Sequence, residues 1–264
     1  MKEFLIIAGP CVLEDLDTAL TIASFVKELC QKHGFSYIFK ASFDKANRTS
    51  LYSYRGPGLE KGLEMLSEVK SKVGVPVTTD VHESWQVEPV SQVADVIQIP
   101  AFLCRQTDLL VASGKTGRIV NIKKGQFMAP WDMKYAVEKA RIGAPKEVWL
   151  TERGATFGYR NLVVDFRSLL IMKEYADRII FDATHSVQLP GGGEGRSGGE
   201  RQFVAPLARA AVAVGVSGLF FEVHPEPDKA LCDGPNSLPL KDLPELFSQI
   251  ADLLAVAQRH GFSS

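Results

Sequence analysis

The sequence has no excess of charge of either sign. Lys and Arg total 30 against 31 Asp and Glu, a formal net charge of −1 over 264 residues. That balance provides no support for a nucleic-acid-binding protein, which usually needs a basic face, but it leaves room for a local phosphate-binding cluster. Long apolar runs are also absent. The first segment holds only the short run Phe4–Ala8, with Glu3 before it. This is too short for a signal-peptide core, and nothing approaches the roughly 20 apolar residues that span a bilayer. A cytoplasmic protein is expected. Cysteine is scarce: Cys11, Cys30, Cys104 and Cys232 are far apart, with no C-x-x-C pair. In a reducing compartment they read as thiols or ligands. No linker or composition shift divides the chain, so a single domain over residues 1–264 is expected. The one low-complexity patch, Gly191–Gly199 (GGGEGRSGG), reads as a mobile loop.

What is present is a globular composition, 45% hydrophobic and 23% charged, which excludes disorder. Short apolar runs rich in β-branched and aromatic residues alternate with longer helical stretches. The spacing predicts eight strands, at Leu5–Ala8, Tyr37–Ser42, Val75–Asp80, Val96–Pro100, Ile119–Lys123, Val148–Arg153, Ile179–Ala183 and Gly218–Val223. It also predicts eight helices, among them Asp17–His33, Gln106–Ser113, Asp165–Tyr175 and Gly199–Val214. Eight βα units in this length suit an α/β TIM (β/α)8 barrel. An open doubly wound sheet usually has fewer strands and a phosphate fingerprint in its first turn. Here that turn reads Gly9-Pro10-Cys11-Val12.

Barrel chemistry sits at the C-terminal strand ends, and residues two apart share a strand face. On this parity Lys40 and Ser42 share a face, as do Thr78, Asp80 and His82. Gln98, Asn121 with Lys123, Thr151 with Arg153, and Glu222 follow on the other strands. Buried charges are costly unless paired or used. A set of internal salt bridges is the alternative reading. The excess of cations on these strands points instead to an anionic substrate, a phosphate or carboxylate. A second basic cluster, Lys45-Ala46-Asn47-Arg48-Thr49-Ser50, combines cations, hydroxyls and backbone amides, and reads equally as a phosphate site or a solvated loop. Arg105 is similar.

Cys11 follows the first predicted strand, His185 follows the seventh, Glu222 ends the eighth and Asp233 lies in the next loop, all at one barrel mouth. Thiolate, imidazole and two carboxylates suit zinc, ferrous iron or manganese. The wide spacing fits a site assembled across a fold. The bland alternatives are a small buried cysteine and a structural histidine. Two phosphate motifs fail. Gly193–Gly198 matches G-x-G-x-x-G, but lies far from the preceding strand and has no acidic residue at the required offset. Gly114-Lys115-Thr116 resembles a P-loop end, but Leu109 stands where its first glycine belongs.

The segments IAGPC (Ile7–Cys11), FKASFDKANRTS (Phe39–Ser50), TTDVHE (Thr78–Glu83), QIPAFLCRQTDLL (Gln98–Leu110), NIKKGQF (Asn121–Phe127), TERGATFGY (Thr151–Tyr159), DATHSVQLPGG (Asp182–Gly192) and HPEPDKALCDGPNSLP (His224–Pro239) run through nearly the whole chain. In this order they resemble the 3-deoxy-D-manno-octulosonate 8-phosphate (Kdo-8-phosphate) synthases. The resemblance implies a homotetrameric TIM barrel that condenses phosphoenolpyruvate with D-arabinose 5-phosphate and water, for lipopolysaccharide synthesis. It implies that Lys40, Ser42, Lys45, Gln98, Ala101, Lys123 and Arg153 hold phosphoenolpyruvate. Asn47, Arg48 and Thr49 would hold arabinose 5-phosphate, with Arg105 reaching its phosphate from a neighbouring subunit and Asp80 near its hydroxyls. Cys11, His185, Glu222 and Asp233 match the ligands of the metal-dependent branch, and Lys40, Lys45, Asp80, His185 and Asp233 are the expected catalytic residues. The metal-independent branch has Asn at the Cys11 position and a Cys-Asp-Gly-Pro segment. This chain carries both Cys11 and Cys232-Asp233-Gly234-Pro235. A thiolate is a strong soft ligand, which favours metal dependence.

The nearest rival is the related 3-deoxy-D-arabino-heptulosonate 7-phosphate synthase, which uses erythrose 4-phosphate and typically shows Lys-Pro-Arg-Thr where this chain has Lys45-Ala46-Asn47-Arg48-Thr49. A non-catalytic sugar-phosphate-binding barrel would need degraded site residues, and here they are all present.

Overall fold

Strand β1 (Leu5–Gly9) pairs in parallel with β2 (Ser36–Lys40), and each later strand pairs with the one before it. These are β3 (Val77–Asp80), β4 (Val96–Ile99), β5 (Ile119–Lys123), β6 (Val148–Glu152), β7 (Arg178–Asp182) and β8 (Gly218–His224). The ring closes where β8 pairs back onto β1, with Gly9 opposite Glu222. This is a TIM barrel, as the alternation predicts. It is seen in a computed structural model that describes residues 3–193 and 196–260. Among the described residues no helix is long and apolar enough to cross a membrane.

The helices are α1 (Leu16–His33), α2 (Leu59–Val73), α3 (Ser84–Val93), α4 (Thr107–Lys115), α5 (Met133–Arg141), α6 (Arg167–Lys173), α7 (Val204–Val214) and α8 (Leu243–His260). Helix α1 shows how local chemistry sets them. The Asp15 carboxylate accepts from the Thr18 amide at 2.8 Å and caps the first turn. Gly34, at φ 69°, ends the helix in the left-handed conformation. Between them Ala19, Ile22, Ala23, Val26, Leu29 and Cys30 recur at helical spacing and are buried.

Burial divides into two main cores. The larger lies between strands and helices and takes residues such as Ile6, Phe39, Ile97, Ile122 and Phe221. The smaller fills the barrel with Leu5, Ile7, Ile38, Val96, Trp149, Ile180 and Phe220. One alternation further along the same faces come Lys40, Gln98, Thr151, Asp182 and Glu222, all buried. The apolar layer is thus the floor of a polar mouth. On β1 the corresponding position is Gly9, where a Cβ would stand 1.9 Å from the Lys40 carbonyl oxygen.

Several boundaries differ from expectation. Strands β2, β4 and β6 end one or two residues early, because Ser42, Pro100 and Arg153 already belong to the loops. Helix α6 is shorter than Asp165–Tyr175. The stretch 199–214 is helical only from Val204, after a single 3-10 turn at Arg201–Phe203. The glycine-rich patch is not a plain loop. Gln188–Gly193 and Arg196–Gly199 pair as an antiparallel hairpin, while Glu194 and Gly195 lie outside the described residues.

Phe220 is fully buried, and its ring supports the Lys123 ammonium at 3.8 Å. Phe220→Ala is expected to cost about 3–5 kcal/mol, read as a lower denaturant midpoint with the secondary structure retained.

Candidate active site

The mouth is wired around its rim by buried side chains. Lys40 Nζ donates to the Cys11 carbonyl oxygen at 3.1 Å and to Ser42 Oγ at 2.9 Å. Ser42 Oγ donates to Asp80 Oδ2, and Gln98 Nε2 donates to Asp80 Oδ1 at 2.6 Å. Asn121 Nδ2 donates to Gln98 Oε1 at 3.1 Å, and Thr151 Oγ1 donates to Asn121 Oδ1 at 2.7 Å. This ladder crosses from β2 to β6 and satisfies each member in turn, as burial demands. Ser42 and Gln98 are not among the residues that line the cavity, and both hydrogen-bond the Asp80 carboxylate that does.

On the opposite side Asp182 is the centre. Its Oδ2 accepts from Lys123 Nζ at 2.6 Å and meets His185 Nδ1 at 2.7 Å. Its Oδ1 accepts from the backbone amides of Thr184 and His185. Strand parity could not place His185. A 3-10 turn at His185–Val187 directly after β7 does so, and the Asp182 contact turns Nε2 outward. That nitrogen lies 3.3 Å from Glu222 Oε1 and 3.7 Å from Asp233 Oδ2. Asp233 Oδ2 lies 3.6 Å from Cys11 Sγ.

These separations bear on a metal. Donors at about 2.0–2.3 Å from one tetrahedral ion stand about 3.3–3.7 Å from one another. The His185, Glu222 and Asp233 atoms lie within 4.8 Å of each other, as do those of Cys11, Cys232 and Asp233. Both Glu222 carboxylate oxygens are buried without a hydrogen-bond donor. The donor set fits a divalent cation.

Above these residues lies a cavity of about 380 Å³. Its wall includes Lys40, Lys45, Asn47, Arg48, Thr49, Asp80, Ala101, Lys123, Arg153, His185 and Asp233, all expected from the sequence. Cys11 and Glu222 stand behind the wall. Arg105 is exposed and off the cavity, with its carbonyl oxygen accepting from Lys139 Nζ. Arg153 Nη2 donates to Gln188 Oε1 at 3.0 Å, while its buried Nη1 has no acceptor among the described residues. Arg48 spans the mouth from the β2 loop. Its Nη2 donates to the Leu231 carbonyl oxygen at 3.0 Å and its Nη1 to Cys232 Sγ at 3.1 Å.

The electrostatics follow from crowding. Burial works to raise the Asp80 carboxyl, but Lys40, Lys45 and Lys123 overcome it and hold Asp80 well below the usual carboxylate range. Glu222 is likewise held low, against burial, by His185, Lys45 and Lys40. Burial opposes the imidazolium of His185, yet Asp182 and Glu222 raise its pKa. Burial pushes the Cys11 thiol well up. Most of the expected cations are offset: Lys40, Lys45, Lys123 and Arg153 face Asp80, Asp182, Glu222 and Asp233, while Arg48 adds a fifth cation to the cavity wall. Asp182 is the carboxylate that sequence reasoning missed, although its place at the end of a strand two residues after the inward Ile180 could have marked it. Gln188 also reaches the wall without having been anticipated, and Cys232 and His82, read only as a thiol or ligand and as a neighbour of Asp80 on its strand face, reach it too.

The model of the DAHP synthetase I family matches residues 2–258. The chain belongs to that family. Among its curated relatives, the 2-dehydro-3-deoxyphosphooctonate aldolase of Nitratidesulfovibrio vulgaris strain Hildenborough is 60% identical over 248 residues, 94% of this chain and 91% of the relative. The proteins of the same name from Fusobacterium nucleatum and Desulfotalea psychrophila are 58% identical over 245 residues and 56% identical over 257 residues. They are matched over 88% and 92% of their lengths, and over 93% and 97% of this chain. That name denotes the Kdo-8-phosphate synthases, so the resemblance seen in the motifs holds over the whole barrel. For a DAHP synthetase I family member, the ion-paired mouth described above lies at the end of the barrel where such folds carry their chemistry.

Asp80 and Glu222 both titrate lower in the folded chain than in the unfolded one. The stability they contribute is complete above the unfolded carboxyl values of about 4 and is lost as the pH falls toward the folded values. Asp80→Asn in the metal-free protein is expected to cost about 3–5 kcal/mol near neutral pH by removing one of the two carboxylates that face the buried Lys40. It should also flatten the acid limb of a stability-against-pH curve measured by denaturant titration. An acid limb as steep as that of the unaltered protein would refute the assignment.

Proposed function

We propose that this pocket condenses phosphoenolpyruvate with D-arabinose 5-phosphate and water, releasing inorganic phosphate and Kdo-8-phosphate. The reading is carried by one observation: Lys40, Lys45, Arg48, Lys123 and Arg153 converge on a single cavity that also presents Asp233 and His185. The relatives' shared name agrees with it.

Two phosphorylated substrates repel one another, and fixed cations overcome that repulsion. Lys40, Lys123 and Arg153 take the phosphate and carboxylate of phosphoenolpyruvate, with Arg153 Nη1 the ready donor and Ala101 shaping the wall. Asn47, Arg48 and Thr49 take the pentose phosphate, and Asp80 faces the sugar hydroxyls. The enol C3 then attacks the aldehyde carbon, water adds at C2 as positive charge develops there, and the hemiketal phosphate expels phosphate by C–O cleavage. Against burial, the ammonium of Lys45 is favoured by Cys11, Cys232, Glu222 and Asp80. It stabilises negative charge growing on the aldehyde oxygen. A divalent zinc, ferrous or manganous ion held by Cys11, His185, Glu222 and Asp233 supplies Lewis-acid polarisation or an activated water when bound. The hairpin that begins at Gln188 lines the cavity with Pro190 and Gly191 and closes over the substrates to exclude bulk water.

The working enzyme is a cytoplasmic homotetramer in which Arg105 serves a neighbouring pocket. Arg105 is exposed, and Phe102, Phe127, Trp131 and Tyr135 are exposed on the segments after β4 and β5, a surface suited to a second copy.

Phosphate release is expected with arabinose 5-phosphate and not with erythrose 4-phosphate. It should be lost on chelation and restored by divalent metal. Preference for the tetrose would replace the assignment with heptulosonate synthesis, and turnover after complete metal removal would retire the metal. Arg48→Ala is expected to raise KM for the pentose phosphate about 10–100-fold, the loss of one charge-assisted contact, with a smaller effect on KM for phosphoenolpyruvate.

A further inference from the structure

We propose that Cys232 supplies a second thiolate to the cation at the mouth, so that a thiophilic divalent ion is held there by two sulfurs, those of Cys11 and Cys232, and by Asp233. The inference rests on the metal site described above and extends its donor set. Both cysteines are free and buried. Cys11 follows β1 and Cys232 follows β8, the two strands that close the ring, so the fold brings together thiols that are 221 positions apart in the chain. Their sulfurs and a carboxylate oxygen of Asp233 lie within 4.8 Å of one another. Asp233 is shared: its Oδ2 is 3.6 Å from Cys11 Sγ and 3.7 Å from His185 Nε2. One ion bound by Asp233 is therefore within reach of both triads. The orphaned oxygens of Glu222 lie on the other side of the same cradle.

The Cys232 sulfur is not simply apolar filling. It lines the cavity and accepts from the Arg48 guanidinium at 3.1 Å. On coordination each thiol gives its proton to solvent. The sulfur exchanges Arg48 for the metal, which frees the guanidinium for the phosphate assigned to it above. Two thiolates rather than one shift preference toward zinc, cobalt and cadmium and away from manganese.

The test is a titration of metal-free protein with Co2+, reading the sulfur-to-cobalt charge-transfer absorption per bound ion. Cys232→Ser and Cys232→Ala are each expected to halve that band, Cys11→Ser to halve it as well, and the double variant to abolish it. Circular dichroism shows whether each variant folds. Proton release on metal binding to the unaltered protein, compared with the folded Cys232 variant, gives a second count and should fall by one proton per ion. A full-intensity band in both Cys232 variants, with half intensity in Cys11→Ser, overturns the role of Cys232 and leaves the Cys11 site standing. No band in the unaltered protein overturns both.

Discussion

One carboxylate oxygen of Asp182 meets both the Lys123 ammonium and the His185 imidazole, and the two halves of the mouth depend on that sharing. In the proposed reaction Lys123 belongs to the anion-binding half and His185 to the metal-binding half. Neither would hold its direction alone in a buried cavity, because a lysine can rotate and an imidazole can flip. Asp182 is itself fixed by backbone amides from the turn that follows it. Orientation therefore passes from backbone to carboxylate to both functional groups, as second-layer contacts do in metal sites generally.

Around that centre the charges close. Lys40, Lys45, Lys123 and Arg153 face Asp80, Asp182, Glu222 and Asp233, and Phe220 lies beneath Lys123 and Lys40. A surplus of cations would need anions before the chain could fold stably. A balanced set can fold without them and then become net positive when a divalent ion enters. On the proposed function, anion affinity is then conferred at the mouth at modest cost to the stability of the barrel beneath it.

The ladder from Ser42 through Asp80, Gln98 and Asn121 to Thr151 makes a related point. On sequence grounds Ser42 and Gln98 were expected to touch substrate. In the structure both are hydrogen-bonded to neighbours, Asp80 among them. Parity alone cannot tell a side chain that lines the cavity from one hydrogen-bonded beside it, because both sit on the same face.

The sequence by itself determined the barrel, the face on which Lys40, Asp80, Lys123, Thr151 and Glu222 project, and the membership carried by the ordered motifs. Alternation along a strand is local, so it is written in consecutive residues and can be read from them. It could not determine the direction of His185, the hairpin from Gln188, the pairing of Asp182 with Lys123, or the approach of Cys232 to Cys11 and Arg48. Those depend on loops after different strands meeting above a closed ring. Ring closure brings residues near position 11 beside residues near position 232 through the β1–β8 pairing, a contact with no local signature in the chain. Only the tertiary structure sets which loop ends share a volume, and the distances within that volume decide which of these groups are paired, which are orphaned and which are free to bind.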